Sequence, residues 1–296
     1  MTYRLLVLAS IVVPATLPMA QGERITVRMA PAPNQTLHLR TTQDMAMTTE
    51  GDAAGGRTQP VNAMAMNMHS VVDATSDVGP TDNDGHYAAK MVVDNISTTT
   101  TMNGQPMPLP IPAPRAAKQV ITFSYDDQGK VIDVSTDGVS ASAGASNDAA
   151  KQILARAFAT VAPMTLAVGE SITVPTALNL PLPAGGPGVP MGIAGETRYT
   201  LTSVTFDGAD RIAHLTSHTT STTTSGSPAA PAGSPFAFDM TMTSDGKSDV
   251  NVDRGIVLHA EQRSTIEGTM RAGTASQAMP NMRMHGTFTI VSDLVK

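Results

Sequence analysis

The sequence predicts a mainly β fold, of antiparallel curved sheets or an open barrel, with one central amphipathic helix at about 147–161. Three observations lead there. Methionines alternate with small or polar residues in Asn62-Ala-Met-Ala-Met-Asn-Met-His-Ser70, and again at Met45/Met47, Met240/Met242 and Met282/Met284. A side-chain period of two belongs to a strand with one covered face and one wet face. Short runs rich in Thr, Val, Ile and Met are broken by Gly, Asp, Asn and Pro, the pattern of strands joined by tight turns. Between Ser146-Asn147 and Pro163 the period changes, and Ala150, Ile153, Leu154, Ala157, Phe158 and Val161 recur at helical spacing.

Taken in chain order, residues 1–20 read as an export leader. Arg4 precedes the apolar run Leu5 to Val13, and cleavage is expected after Ala20. This places the protein outside the cytoplasm, in the periplasm or the extracellular space. Residues 21–296 then form a single β-rich domain, with two weakly related halves (24–137 and 164–292) joined by the helix. In the run from Leu37 to Met47, Leu37, Leu39, Met45 and Met47 share one face and His38, Arg40 and Asp44 the other. The glycines at 51–56 turn the chain so that Pro60 to Val72 returns beside it as a Met-lined hairpin. A turn at Thr81–Gly85 leads to a strand from His86 to about Thr101. Strands at 119–125 and 131–135 flank Asp126-Asp-Gln-Gly-Lys130, whose Asx and glycine residues suit a hairpin turn. In the second half, strands are expected at 211–224 and at 236–243, the latter ended by a turn at Ser244-Asp-Gly-Lys247. The Pro-rich stretches 106–114, 175–190 and 225–235 read as connections.

Composition narrows the function. The chain holds 19 Met, no Trp, no Cys and 3% aromatic residues, so the interior is expected to be built largely from Met, Val, Ile and Ala without disulfides. A net charge of −6 without basic clusters speaks against nucleic acid and anionic lipid surfaces as partners. The scarcity of aromatic platforms weakens a carbohydrate reading. Beyond the leader no apolar run approaches the roughly 20 residues of a membrane helix, so no transmembrane span is expected after cleavage.

Chemistry-bearing motifs are missing. There is no Gly-x-Ser-x-Gly, no His-Glu-x-x-His and no Cys nucleophile. Ser244 and Lys247 match Ser-x-x-Lys, but in an expected turn rather than at a helix start. Asp82, Asp84, Asp126 and Asp127 read as turn residues, since neither pair completes a calcium loop. His214 and His218 stand about 13 Å apart along one strand, too far to chelate an ion together. No catalytic, cofactor-binding or metal residue is assigned. The reading is a non-enzymatic exported protein that binds an apolar ligand or lipid, or serves as a structural or interaction module of the cell envelope, with a lipid or another envelope protein as partner. An apolar cleft is expected to be lined by Ile153, Leu154 and Phe158 of the helix with Met64 and Met66 of the Met strand. The alternative is a periplasmic copper-binding protein, because thioether sulfur suits Cu(I). Met64, Met66, Met68 and His69, with Met282, Met284 and His285, would be its candidates. Residues two apart on a strand lie about 6.5–7 Å apart, and methionine is an ordinary gap-filler, so a core role is the stronger expectation.

Several motifs carry a resemblance. Asp82-Asn-Asp-Gly85, Asp126-Asp-Gln-Gly-Lys-Val131, the helix at 147–161 and Leu166-Ala-Val-Gly-Glu-Ser-Ile-Thr173 occur in that order, followed by Tyr199-Thr-Leu-Thr202 and Gly255-Ile-Val-Leu258. In this the chain resembles a family of uncharacterised exported bacterial β-rich proteins with Met-x-Met and Thr-x-Thr strands. It departs from that pattern in its long Pro-rich loops and in lacking an aromatic residue after Ser171. The resemblance implies a fold and an exported location, and no activity. At fold level alone, a curved sheet cupping a helix is similar to periplasmic lipoprotein carriers.

Overall fold

The structure is a computed structural model, which describes residues 22–51, 61–107, 120–137, 163–181, 190–225, 236–274, 277–278 and 282–295. Its strands in chain order are β1 (Arg24–Val27), β2 (Gln35–Gly51), β3 (Val61–Val78), β4 (Tyr87–Met102), β5 (Gln105–Pro106), β6 (Val120–Tyr125), β7 (Val131–Asp137) and β8 (Met164–Ala167). They continue as β9 (Ser171–Pro181), β10 (Pro190–Asp207), β11 (Asp210–Ser225), β12 (Phe236–Asn251), β13 (Ile256–Thr274), β14 (Gln277–Ala278) and β15 (Met282–Val295). All pairings among the described residues are antiparallel. The main sheet runs β7-β6-β4-β3-β2-β15-β13-β12-β11-β10-β9, with β5 on β4 and β14 on β13. The early strand β2 pairs with the last strand β15, so the two ends of the meander meet in the middle of the sheet. Its outer strands among the described residues are β7 and β9. A separate ribbon joins β1 to β8, with Val27 opposite Met164 and Ile25 opposite Leu166.

The turn chemistry behaves as its residues dictate. Asp82 Oδ1 accepts from the backbone N–H of Asp84 and His86, and Asp126 Oδ1 from those of Gln128 and Lys130. Each loop closes on a glycine with positive φ, Gly85 and Gly129. Pro175 lies within β9, opposite Glu196, where an outer strand tolerates its missing N–H.

Register carries the alternation of each strand across the sheet. On one face Leu39 stands opposite Ala74 and Leu294, and Met45 opposite Met68 and Phe288. On the other, Arg40 faces Asp73 and Asp44 faces His69. A one-residue slip would exchange the two faces.

The core occupies one end of this sheet. The β1–β8 ribbon lays Ile25, Val27, Met164 and Leu166 on Leu201, Ala213, Leu215, Val250 and Val252 from β10, β11, β12 and the turn beyond it. A second cluster gathers Val78, Tyr87 and Ala89 with Tyr125, whose ring stacks on Tyr87 at a centroid distance of 5.0 Å. Burial and the neighbouring Tyr87 push the Tyr125 phenol up to about 12.

Three expectations need correction. The fold is all-β among the described residues, and the layer that covers the sheet is the β1–β8 ribbon rather than a helix. The segment 147–161 itself lies outside the described residues. The interior is aliphatic, with Met164 buried and Met29 beside it; the Met-x-Met residues are not part of either cluster, because the ribbon does not reach their end of the sheet. Ser244-Asp-Gly-Lys247 is not a turn but mid-strand in β12, paired with β11 on one side and β13 on the other. An Asp-Gly signal turns a chain only where neighbouring strands leave its backbone unpaired. Here Ser244 Oγ donates to Ser264 Oγ in a buried bond.

One contact at the core end has a measurable pH signature. Asp253 accepts from the Arg211 guanidinium and from the Arg211 backbone N–H, at 2.7 Å for the latter, which holds its carboxyl below the usual range. A carboxyl depressed by folding contributes its stability above the unfolded value near pH 4 and loses it as pH falls through the lower folded value. The gap in urea midpoint between wild type and Asp253→Asn should therefore be open at pH 6 and close on acidification below about pH 4. A gap that stays constant from pH 6 to pH 3 would assign the effect to packing instead.

Candidate functional site

Two surfaces of opposite chemistry share the strands beyond the core end. The first is a methionine face. Met45 and Met47 of β2 stand opposite Met68 and Met66 of β3, and Met66 stands opposite Met102 of β4. On the other flank Met284 faces Thr49, Gly286 faces Met47 and Phe288 faces Met45. Met45, Met47, Met66, Met68, Met102 and Met284 are all half-buried, and Met64 is 43% exposed. Every residue on this side of β4, β3, β2, β15, β13 and β12, from the row Thr98–Ser70–Gln43–Ile290–Gln262 to the row Met64–Thr49–Met284–Gly268–Met240, is uncharged.

The second surface is charged. Directly opposed residues form cross-strand pairs: Arg40 with Asp73, His69 with Asp44, His259 with Asp293, and His214 with Asp249, each at 2.7 Å, with His218 and Asp245 at 2.8 Å. The hydrogen bond from Arg40 holds the Asp73 carboxyl below its ordinary value. These pairs are largely exposed, so each adds little to stability. Their consequence is register, because opposite charges face each other along the ladder. On this side a groove of about 790 Å³ crosses β2, β15, β13, β12 and β11. Glu50, Asp239, Glu267, Arg283 and His285 line it together with a row of threonines. It is open, Met240 and Met284 also reach its lining, and among the described residues it holds no assembled nucleophile and base. The described residues contain no group of three or more His, Cys, Asp or Glu that could hold a metal ion.

Of the expected cleft residues, Met64 and Met66 are on the methionine face of β3. Ile153, Leu154 and Phe158 lie outside the described residues. Met68 shares the face with Met66, whereas His69 turns to the charged side and bonds Asp44. His285 likewise faces away from Met284, with Glu267 3.7 Å from its ring. The methionines and histidines of the copper alternative are therefore divided between opposite faces, as period-two geometry requires.

Sequence reasoning missed Met102. In an unbroken hairpin register, the pairing of Val78 with Ala89 would put Met66 opposite Thr101 and turn Met102 to the other face. A bulge between Asp73 and Ala74 shifts the register by one, with Asp94 as the extra residue, and brings Met102 opposite Met66. The Asp94 carboxylate accepts from Thr75 Oγ1 at 2.6 Å. No local pattern announces a bulge of this kind.

No protein-family model matches the chain, and no curated protein matches it. Among solved structures it is similar to OccK5 (OpdH) of Pseudomonas aeruginosa, with a TM-score of 0.27 and 6% identity over 90% of this chain and 100% of that one. It is also similar to the translocator domain of the autotransporter NalP from Neisseria meningitidis, with a TM-score of 0.17 and 11% identity over 88% and 89%. The expectation of no transmembrane span is withdrawn. It rested on apolar run length, which detects helices; a strand crosses a membrane with about 9–11 residues, and β2 and β3 have 17 and 18. Among the described residues no helix is long and apolar enough to cross, which says nothing about strands.

Proposed function

We propose that the protein is a non-enzymatic module of the cell envelope whose methionine face takes up lipid acyl chains. The observation that carries this reading is a charge-free surface across six strands whose methionines are half-exposed rather than packed into the core. Methionine side chains are unbranched and polarizable, and a surface built from them adapts to apolar ligands of irregular shape. Exposed apolar surface of this kind marks a binding or membrane-contact site. Phe288, Ile290 and Ile266 extend it between the methionines.

Flotation with neutral phosphatidylcholine vesicles tests this, together with native mass spectrometry of protein purified without detergent. Wild type should float with the vesicles or carry lipid-mass adducts. Met68→Asp, which places a charge in the middle of the face opposite Met45, should lose most of the vesicle-bound fraction while keeping its far-UV spectrum. A wild-type chain that stays in the aqueous fraction and shows a bare polypeptide mass would count against lipid and in favour of a protein partner.

A further inference from the structure

Three methionines far apart in the sequence stand in one row of the sheet. Met47 on β2 lies directly opposite Met66 on β3, and Met66 directly opposite Met102 on β4. Facing residues of antiparallel strands have Cβ atoms about 4.5–5.5 Å apart. Methionine carries its sulfur two bonds beyond Cβ on freely turning bonds, so thioethers from three neighbouring strands can meet above Met66. All three side chains are half-buried, open to an entering ion, and none belongs to a core cluster. Met45 with Met68, and Met64 opposite Thr49, occupy the adjoining rows.

The row is held in place by its surroundings. Asn103, in the left-handed region at φ 52°, follows Met102 directly. Its N–H donates to the Ala65 carbonyl at 2.7 Å, and its Oδ1 accepts from the Ala65 N–H at 2.8 Å. Met102 is thus pinned beside the residue that precedes Met66. The donor set is neutral and soft. Asp44, Glu50 and His69 alternate onto the opposite face, so no carboxylate or imidazole of β2 or β3 accompanies the sulfurs.

We propose that Met47, Met66 and Met102 form a three-thioether site for a soft monovalent cation, Cu(I) or Ag(I). Uncharged sulfur donors suit such ions and leave hard divalent cations, which need oxygen and charge, without partners. The site lies within the face assigned to lipid but stands on a separate observation. Replacing Met by Leu removes sulfur while keeping apolar volume, so the two readings fail independently.

The test is anaerobic titration of the whole protein with Cu(I) against a chromogenic Cu(I) chelator, followed on ¹³C-methyl methionine resonances. The wild type should retain one ion, with the Met47, Met66 and Met102 methyl signals shifting together. Since outer-shell changes alone cost a metal site 10–100-fold, Met66→Leu should lower the affinity by at least about tenfold, with vesicle association unchanged. Met240→Leu, on the same face but four strands from Met66, should bind as wild type. The proposal is overturned if the chelator strips all copper from wild type, if Met66→Leu binds as tightly, or if Met240→Leu loses as much as Met66→Leu.

Discussion

Leu201→Ala should lower the free energy of unfolding by about 2–5 kcal/mol, the cost of emptying a buried leucine site. Leu201 is 1% exposed and sits where the β1–β8 ribbon meets the sheet, in a cluster with Val27, Leu166 and Leu215. Its backbone is equally engaged: the Gly169 N–H donates to its carbonyl at 2.7 Å, and its own N–H donates to the Glu170 carbonyl at 3.1 Å. Glu170 in turn accepts from the Ala167 N–H and from Arg24, which depresses its carboxyl and ties the β8–β9 turn to β1. A cavity at Leu201 therefore loosens the ribbon as well as the sheet. Urea unfolding should show the loss, and hydrogen exchange should quicken at the Val27 and Leu166 amides before it does in β3 or β13. Met47→Ala should cost far less, because a half-exposed side chain leaves no sealed cavity. Equal effects at Leu201 and Met47 would mean that the methionine rows are core after all.

Gly255→Ala should destabilise by about 2–4 kcal/mol, combining left-handed strain of 1–2 kcal/mol with hydrogen bonds worth about 1 kcal/mol each. Gly255 closes the β12–β13 turn at φ +64°, and an added Cβ would collide with the Ala30 carbonyl oxygen. That neighbour is backbone and cannot rotate away. The segment after β1 would have to withdraw, breaking the bond from the Ala32 N–H to the Arg254 carbonyl at 2.9 Å and the contacts of Gln35 with Arg254. Gly169→Ala isolates the conformational part. Its φ is +87° with nothing within 4 Å of an added Cβ, so it should lose only about 1–2 kcal/mol. If the two variants have the same urea midpoint, the Ala30 contact does not hold the turn.

The contrast between these sites shows how far local pattern reaches. Asp82 and Asp126 were legible as turns because an Asx side chain bonds backbone only two to four residues ahead, an event contained in the local sequence. The strand character of 37–47 and 86–101 was legible for the same reason. Asp245-Gly246 carries an equally strong local signal and failed, because β11 and β13 pair with it from both sides. The candidate site was half legible. Met64 and Met66 were recognised as sharing a face, but Met102 joins them only through the bulge at Asp94, and the charged ladder of histidines and aspartates depends on pairing between distant strands.

By itself the sequence determined the period of two, the turns at Asp82 and Asp126 and the lack of disulfides, all of which are properties of composition or of a few neighbouring residues. Only the tertiary structure decided which alternating rows are core. Burial belongs to whatever lands on a face, and the residues that land on Leu201 and Leu215 come from β1 and β8, a ribbon whose two strands are about 140 residues apart in the chain. The methionine rows have the same alternation but lie beyond its reach, and so their methionines stay half-buried or, at Met64, exposed.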